Sequence, residues 1–226
     1  MCTRYNLTAP AEAVRTFFKA KGEADFPPRY NIAPTQPTLI VRQSTDAREL
    51  VLVRWGLIPS WVKDPSQLKT TLINARAEGA ADKPSFRGPL RHRRCLVPAT
   101  GFYEWSGRPG AKQPYHITPR GGGIMGLGGL WEHWLGADGS ELETMSILTV
   151  AANATIAPLH DRMPLILAPQ DFDLWLDCRP GTAEHIEPLL RPAPNDFLEF
   201  REASKALNNV RNEGPAVLAD DAPRLL

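Results

Sequence analysis

Residues 95–105 read Cys95-Leu96-Val97-Pro98-Ala99-Thr100-Gly101-Phe102-Tyr103-Glu104-Trp105. Two short apolar runs, Cys95–Val97 and Gly101–Trp105, are punctuated by proline and glycine, the signature of short strands. The pattern continues outward. Tyr115–Thr118, Ile124–Trp131 and Met145–Ala151 read as further strands. Thr38–Val41 and Leu50–Trp55 read as a strand pair around the polar turn Ser44–Ala47. Helix signals lie near the N-terminus and in the last third. Thr8 is placed to cap a helix with Pro10 in its first turn, and Val14, Phe17 and Phe18 share one face. Asp171–Leu176 and Ala183–Leu190 are short candidates, with Pro188 opposing an unbent second one. The expectation is a strand-rich α+β fold with a barrel-like antiparallel sheet core and peripheral helices. No boundary divides the chain, so residues 1–226 are expected to form one domain.

The 226 residues are enough to bury a core, and 42% hydrophobic with 23% charged content argues against wholesale disorder. Proline, at 22 residues, is about twice as frequent as usual, which fits loops and short strands. No apolar run approaches the roughly eighteen residues of a membrane span. The start, Met1-Cys2-Thr3-Arg4-Tyr5-Asn6, lacks a signal peptide's apolar segment. Cys2, Cys95 and Cys178 are odd in number and widely spaced, indicating neither a disulfide framework nor a zinc site. A cytoplasmic monomer with reduced thiols, no membrane contact, no metal and no cofactor is expected. The net charge of +1 hides a split. Residues 1–120 hold 19 Lys and Arg against 9 Asp and Glu, while residues 121–226 hold 7 against 16. Such asymmetry hints at nucleic-acid or membrane contact when the two parts do not interleave.

Cys2 follows the initiator Met directly, and Met is removed before small residues. The exposed cysteine would carry an α-amine and a thiol on one residue. The amine's pKa of about 7.7–8.0 leaves it uncharged far more often than a lysine. It can attack an aldehyde to give a Schiff base, and the thiol can then close on the imine carbon as a thiazolidine. The amine acting as base for its own thiol, in an amidohydrolase, is the other chemistry open to it. An accident of position is the bland alternative.

Three further strings carry polar chemistry. In Leu72-Ile73-Asn74-Ala75-Arg76-Ala77-Glu78, an extended chain would send Asn74, Arg76 and Glu78 to one face. Arg76 could fork onto a phosphate, although a surface ion pair and a turn Asn are commoner. In Gly101–Trp105, a strand puts Glu104 beside Phe102 and opposite Tyr103 and Trp105. A carboxyl in apolar surroundings suits acid–base work, whereas an edge strand would simply expose it. In Ala157-Pro158-Leu159-His160-Asp161-Arg162-Met163-Pro164, two prolines imply a loop presenting a proton carrier and a phosphate binder. The other histidines read as structural or surface residues. Arg87, Arg91, Arg93 and Arg94 form a basic run in the half that holds Trp55, Trp61 and Trp105. A solvated face is the usual reading; a groove for single-stranded nucleic acid is the functional one.

These strings, with Asn31-Ile32-Ala33-Pro34, Arg54-Trp55-Gly56-Leu57-Ile58-Pro59-x-Trp61 and Lys205-Ala206-Leu207-Asn208-Asn209-Val210-Arg211-Asn212, stand in the order found in one family. The chain resembles the SRAP family of SOS-response-associated peptidase-like proteins, which crosslink abasic sites, from Cys2 to about residue 218. The resemblance implies a basic groove for single-stranded DNA with abasic sites, and nucleoid association when bound to damage. It implies that Cys2, after Met1 removal, forms a thiazolidine, with Asn74, Glu104 and His160 as the other catalytic residues. It implies DNA contacts at Arg4, Trp61, Arg76 and Arg162. One departure is Thr3, where the family usually has Gly; a turn needing φ > 0 would be disfavoured there. Two other functions remain open: a peptidase or amidohydrolase using Cys2 and His160, and a non-catalytic single-strand-binding module.

Overall fold

The computed structural model describes residues 2–108 and 110–218. Met1 and the last part of the expected domain, 219–226, lie outside the described residues. The chain runs β1 (Tyr5–Leu7), α1 (Ala11–Phe18), β2 (Ala20–Lys21), β3 (Arg29–Ile32), β4 (Pro37–Gln43) and β5 (Arg48–Trp55). After a long connection come β6 (Asn74–Arg76), α2 (Ala77–Ala80), α3 (Pro84–His92), β7 (Arg94–Ala99) and β8 (Gly101–Ser106). Then follow β9 (Gln113–Pro119), β10 (Met125–Leu135), β11 (Glu141–Ala151), β12 (Arg162–Pro164), β13 (Ile166–Leu167), α4 (Phe172–Leu176) and β14 (Leu198–Glu202).

Five strands close into a barrel. β11, β10, β7, β4 and β5 pair in that order, each antiparallel to the next. β5 then returns to β11, with Thr144 opposite Arg54 and Met145 opposite Trp55. This closing seam is parallel, so the barrel is not wholly antiparallel as expected. β6 also joins β11 in parallel, because the connection after β5 carries the chain back to the same end before Asn74. The second sheet, β14-β9-β8-β1-β3, is antiparallel throughout.

The central strands are buried on both faces, and every residue of β7 is buried. Leu39, Leu96, Val97, Leu127, Ile147 and Trp55 are fully or almost fully buried. β10 passes under Leu165 because Gly128 has no side chain; a Cβ there would sit 2.7 Å from Leu165 Cδ2. A smaller cluster around Tyr103, Ala203, Leu207 and Val217 lies on the other face of β8.

The helices depart most from expectation. Pro10, not Thr8, occupies the N-cap of α1, and no side chain caps it. Thr8 instead bonds Thr100, its amide reaching Thr100 Oγ1 at 3.0 Å. Residues 183–190 form two short 3-10 turns, Thr182–His185 and Glu187–Leu189, separated as Pro188 demanded. α3 is not among the expected helices, and it holds Pro89 in its interior, where proline ordinarily weakens a helix. It forms because Pro84 starts it and Phe86, Pro89 and Leu90 bury a common stripe.

Candidate active site

Cys2 precedes β1, whose neighbours are β3 and β8. It is fully buried, and its Sγ donates to the Arg4 carbonyl at 3.4 Å. The same carbonyl accepts from the Tyr103 amide on β8. Burial raises the Cys2 thiol well above its ordinary pKa, and the Glu104 carboxylate adds to the rise. The thiol is therefore held protonated. Thr3 is not in the left-handed region, so this turn does not need the family's glycine.

Glu104 lies on β8, between β1 and β9, and is 3% exposed. The exposed edge-strand alternative therefore does not hold. Strand alternation places Phe102 in the main core and Tyr103 in the smaller cluster. Burial is the largest influence on Glu104 and raises its pKa. Glu104 therefore holds its proton to a higher pH than an exposed glutamate does.

Asn74 opens β6, and its neighbour Ala75 points into the core. The side-chain amide donates to the Cys2 carbonyl at 2.7 Å. Its Oδ1 is buried with no partner among the described residues. Such an open acceptor is costly unless a ligand donates to it. Strand β6 ends at Arg76, so Glu78 does not share the face of Asn74 and Arg76 as an extended chain would require. It sits in α2 and turns to Arg162.

His160 occupies the loop between β11 and β12. Asn153 anchors this loop: its Oδ1 accepts from the Ile156 amide, and its Nδ2 donates to the Ala193 carbonyl. His160 Nδ1 lies 2.9 Å from the Arg162 amide and 2.8 Å from Asp161 Oδ1. One nitrogen cannot serve both. Neutral, with the proton on Nε2, it accepts from Arg162; with Nδ1 protonated, it donates to Asp161.

The expected DNA contacts fare differently. Arg76 and Trp61 are exposed, Trp61 at 64%. Arg4 is half-buried, and its Nη1 donates to Asn31 Oδ1 and the Leu207 carbonyl. Arg162 is gripped by Glu78 at 2.7 and 2.8 Å and by the Thr149 carbonyl at 2.5 Å. The Arg162 guanidinium holds the Glu78 carboxyl below its usual range. In the basic run, Arg94 is no surface charge at all: it is 1% exposed and bonded to the carbonyls of Leu90, Trp175 and Asp177. Trp55 is buried and Trp105 half-buried, which leaves Trp61 as the exposed aromatic of the three.

Two supports escaped the sequence reading. Asn31 donates to the carbonyls of Asn209 and Asn212, and Trp105 donates to Asn208 Oδ1. The Lys205–Asn212 string therefore backs Arg4 and β8 from behind. Its signal was present in the sequence as a motif without an assigned role.

A family model described as "SOS response associated peptidase (SRAP)" matches residues 1–210. The chain belongs to the SRAP family. Across 96% of its length it is 34% identical to "Abasic site processing protein YoqW" of Bacillus subtilis, covering 99% of that protein. It is 36% identical over 227 residues to "Abasic site processing protein HMCES" of Gallus gallus, covering 87% of this chain and 67% of that one. A crystal structure from Bacteroides thetaiotaomicron superimposes with a TM-score of 0.86 at 27% identity, covering 96% of this chain and 98% of the other. Among the described residues of this SRAP chain, no three His, Cys, Asp or Glu gather to hold a metal. No helix is long and apolar enough to cross a membrane.

Proposed function

We propose that this chain processes abasic sites by capturing them in single-stranded DNA as a thiazolidine on Cys2, after removal of Met1. The observation that carries the proposal is the contact between Asn74 and Cys2 beside a buried Glu104 under the electrostatic influence of His160. The names of the relatives support abasic-site processing.

An abasic sugar closes as a hemiacetal. Glu104, whose pKa burial raises, is suited to put a proton on the ring oxygen as the sugar opens. The Cys2 amine then attacks the C1′ aldehyde, and water leaves to give an imine. Sγ adds to the same carbon, and the thiol proton passes to the nitrogen. One water is lost in total. A protonated thiol fits this order, because the amine attacks first and the ring closure is intramolecular. Asn74 fixes the Cys2 main chain, and its open Oδ1 can accept from the amine or a sugar hydroxyl. His160 assists proton transfer at the sugar. Arg76 and Trp61 hold the strand, and Arg4 and Arg162 are further phosphate contacts only where their present partners share the guanidinium.

Intact mass after mixing with an abasic oligonucleotide tests this. The expected product is the chain without Met1, plus the oligonucleotide, less one water. A Cys2→Ala variant that forms the same heat-stable adduct in equal yield would end the proposal.

A further inference from the structure

Residues 2–4, the arm that carries the cysteine into β1, lie outside any strand, so individual bonds rather than a full ladder fix them. Asn74 holds the Cys2 carbonyl, and the Arg4 carbonyl accepts from both Cys2 Sγ and the Tyr103 amide. A separate set fixes the Arg4 side chain. Tyr5 faces Ile32 across β1 and β3. The residues before them, Arg4 and Asn31, therefore share a face as diagonal neighbours, within reach of a long side chain. Asn31 is fully buried, and its Oδ1 accepts from Arg4 Nη1 at 3.0 Å. Its Nδ2 faces the carbonyls of Leu207, Asn209 and Asn212 at 3.4, 3.1 and 3.0 Å. The Leu207 carbonyl also accepts from Arg4 Nη1, at 3.2 Å. The Arg4 guanidinium lies 5.8 Å from the centroid of Trp105, whose Nε1 donates to Asn208 Oδ1. One side-chain amide thus ties the cysteine arm to a carbonyl 178 residues beyond it in sequence. Asparagine suits the place because it accepts on one side and donates on the other. A carboxylate would turn an oxygen toward three carbonyls, and an apolar residue would leave buried groups unpaired.

We infer that Asn31 is a positioning residue, which through Arg4 holds the arm that bears the Cys2 nucleophile. The inference rests on the proposed function for the reaction it serves. Asn74 and Asn31 then grip the arm at its two ends, Asn74 at the Cys2 carbonyl and Asn31 at the Arg4 side chain. The gain is in orientation: the amine and the thiol of one residue must reach the same carbon in turn, and a loose arm forfeits that alignment.

Two measurements on the chain lacking Met1 test this. The first is alkylation of Cys2 by iodoacetamide, a neutral reagent, followed by mass under native conditions, with the half-buried Cys178 as reference. Asn31→Ala and Arg4→Ala should each speed Cys2 alkylation by about 10- to 10²-fold, the factor that one hydrogen bond to a charged group is worth, and leave Cys178 unchanged. Arg4→Lys, which keeps a donor for Asn31, should restore slow alkylation. The second is the rate of adduct formation against the concentration of an abasic single-stranded oligonucleotide. Asn31→Ala should lower the maximal rate by up to about 10²-fold, with the half-saturating concentration unchanged. Asn31→Ala/Arg4→Ala should be no slower than Arg4→Ala alone, because Asn31 acts through Arg4. Thermal melts establish that each variant is folded. If Asn31→Ala does not fold, Arg4→Ala carries the test, since it leaves Asn31 bonded to its three carbonyls. Alkylation at the native rate in the folded Arg4→Ala chain would overturn the inference. So would a raised half-saturating concentration at unchanged maximal rate in Asn31→Ala, the mark of a lost phosphate contact alone. No adduct from the native chain, with alkylation responding as expected, would sink the Cys2 chemistry and leave the anchor standing.

Discussion

His116 should make this protein acid-labile through a single buried ring. It lies on β9 opposite Tyr103 and stacks on it, with ring centroids 5.0 Å apart. It is 3% exposed, and its Nε2 lies 3.1 Å from Asn6 Oδ1. Burial, with a smaller contribution from the Arg201 charge, pushes its pKa down from 6.5 to about 4. A depressed histidine favours its neutral form in the folded state. The associated stability is complete above the unfolded pKa near 6.5 and drains away as pH falls toward about 4. Between about pH 7.5 and about pH 4.5 the loss is about 2.5 kcal/mol. Urea denaturation at the two pH values measures it. His116→Gln keeps a donor for Asn6 and removes the titration. The variant should be less stable at neutral pH, through lost stacking, yet its stability should fall about 2.5 kcal/mol less on acidification. Carboxylates titrate in both proteins and cancel in the comparison. If the two lose the same stability, the neutral buried histidine is wrong. Tyr115, the next residue toward the N-terminus, pairs with Glu104, so acid opening of β9 would also disturb the active site.

Glu104→Gln should slow adduct formation by about 10²-fold or more, read by quenched gel assays. Because the Glu104 pKa is raised, native stability should decline as pH rises through and above its unfolded value near 4.3, and the Gln variant should lack that decline. Gly101→Ala places a Cβ 2.3 Å from His116 Nε2 and 2.9 Å from the Ile117 carbonyl; a melt should show a cost of about 1–3 kcal/mol, and a neutral result would contradict this packing. Glu78→Gln releases Arg162, so salt-dependent binding of undamaged single strands should strengthen while stability falls by less than about 1 kcal/mol. Unchanged binding would mark Arg162 as a strut for the His160 loop alone.

The strands were legible because their apolar runs are short and their breaks carry Pro or Gly; all seven expected strands occur. The parallel seam was not legible. It depends on how the long connection from Gly56 to Ile73 returns, and no local pattern encodes that. The α3 helix holds Pro89 in its interior, where tertiary burial of Phe86 and Leu90 overrides the local penalty. At the site, the contact between Asn74 and Cys2 joins residues 72 apart through strand pairing. The separate strings showed each side chain's chemistry, and family order suggested that they meet. Neither revealed that Arg4 and Arg162 are already engaged. Such engagement follows from partners at Leu207 and Glu78 that are distant in sequence.

The charge split acquires a different meaning from those partners. Arg29, Arg42, Arg48, Arg93 and Arg120, all from the basic half, pair with Glu213, Glu143, Asp173, Glu132 and Glu199 from the acidic half. Arg162 and Glu78 repeat the exchange in reverse. Several acidic residues of the second half therefore neutralise arginines of the first half. Part of the asymmetry is consumed within the fold, and exposed pairs of this kind add little stability. They do, however, select which arginines stay available. Arg76, Arg87 and Arg91 are exposed and have no ion-pair partner among the described residues. A polyanion is attracted by the charge that remains unpaired, not by the count in the sequence. The near-zero total is thus compatible with DNA binding, because what matters is where a few guanidiniums were left without a carboxylate.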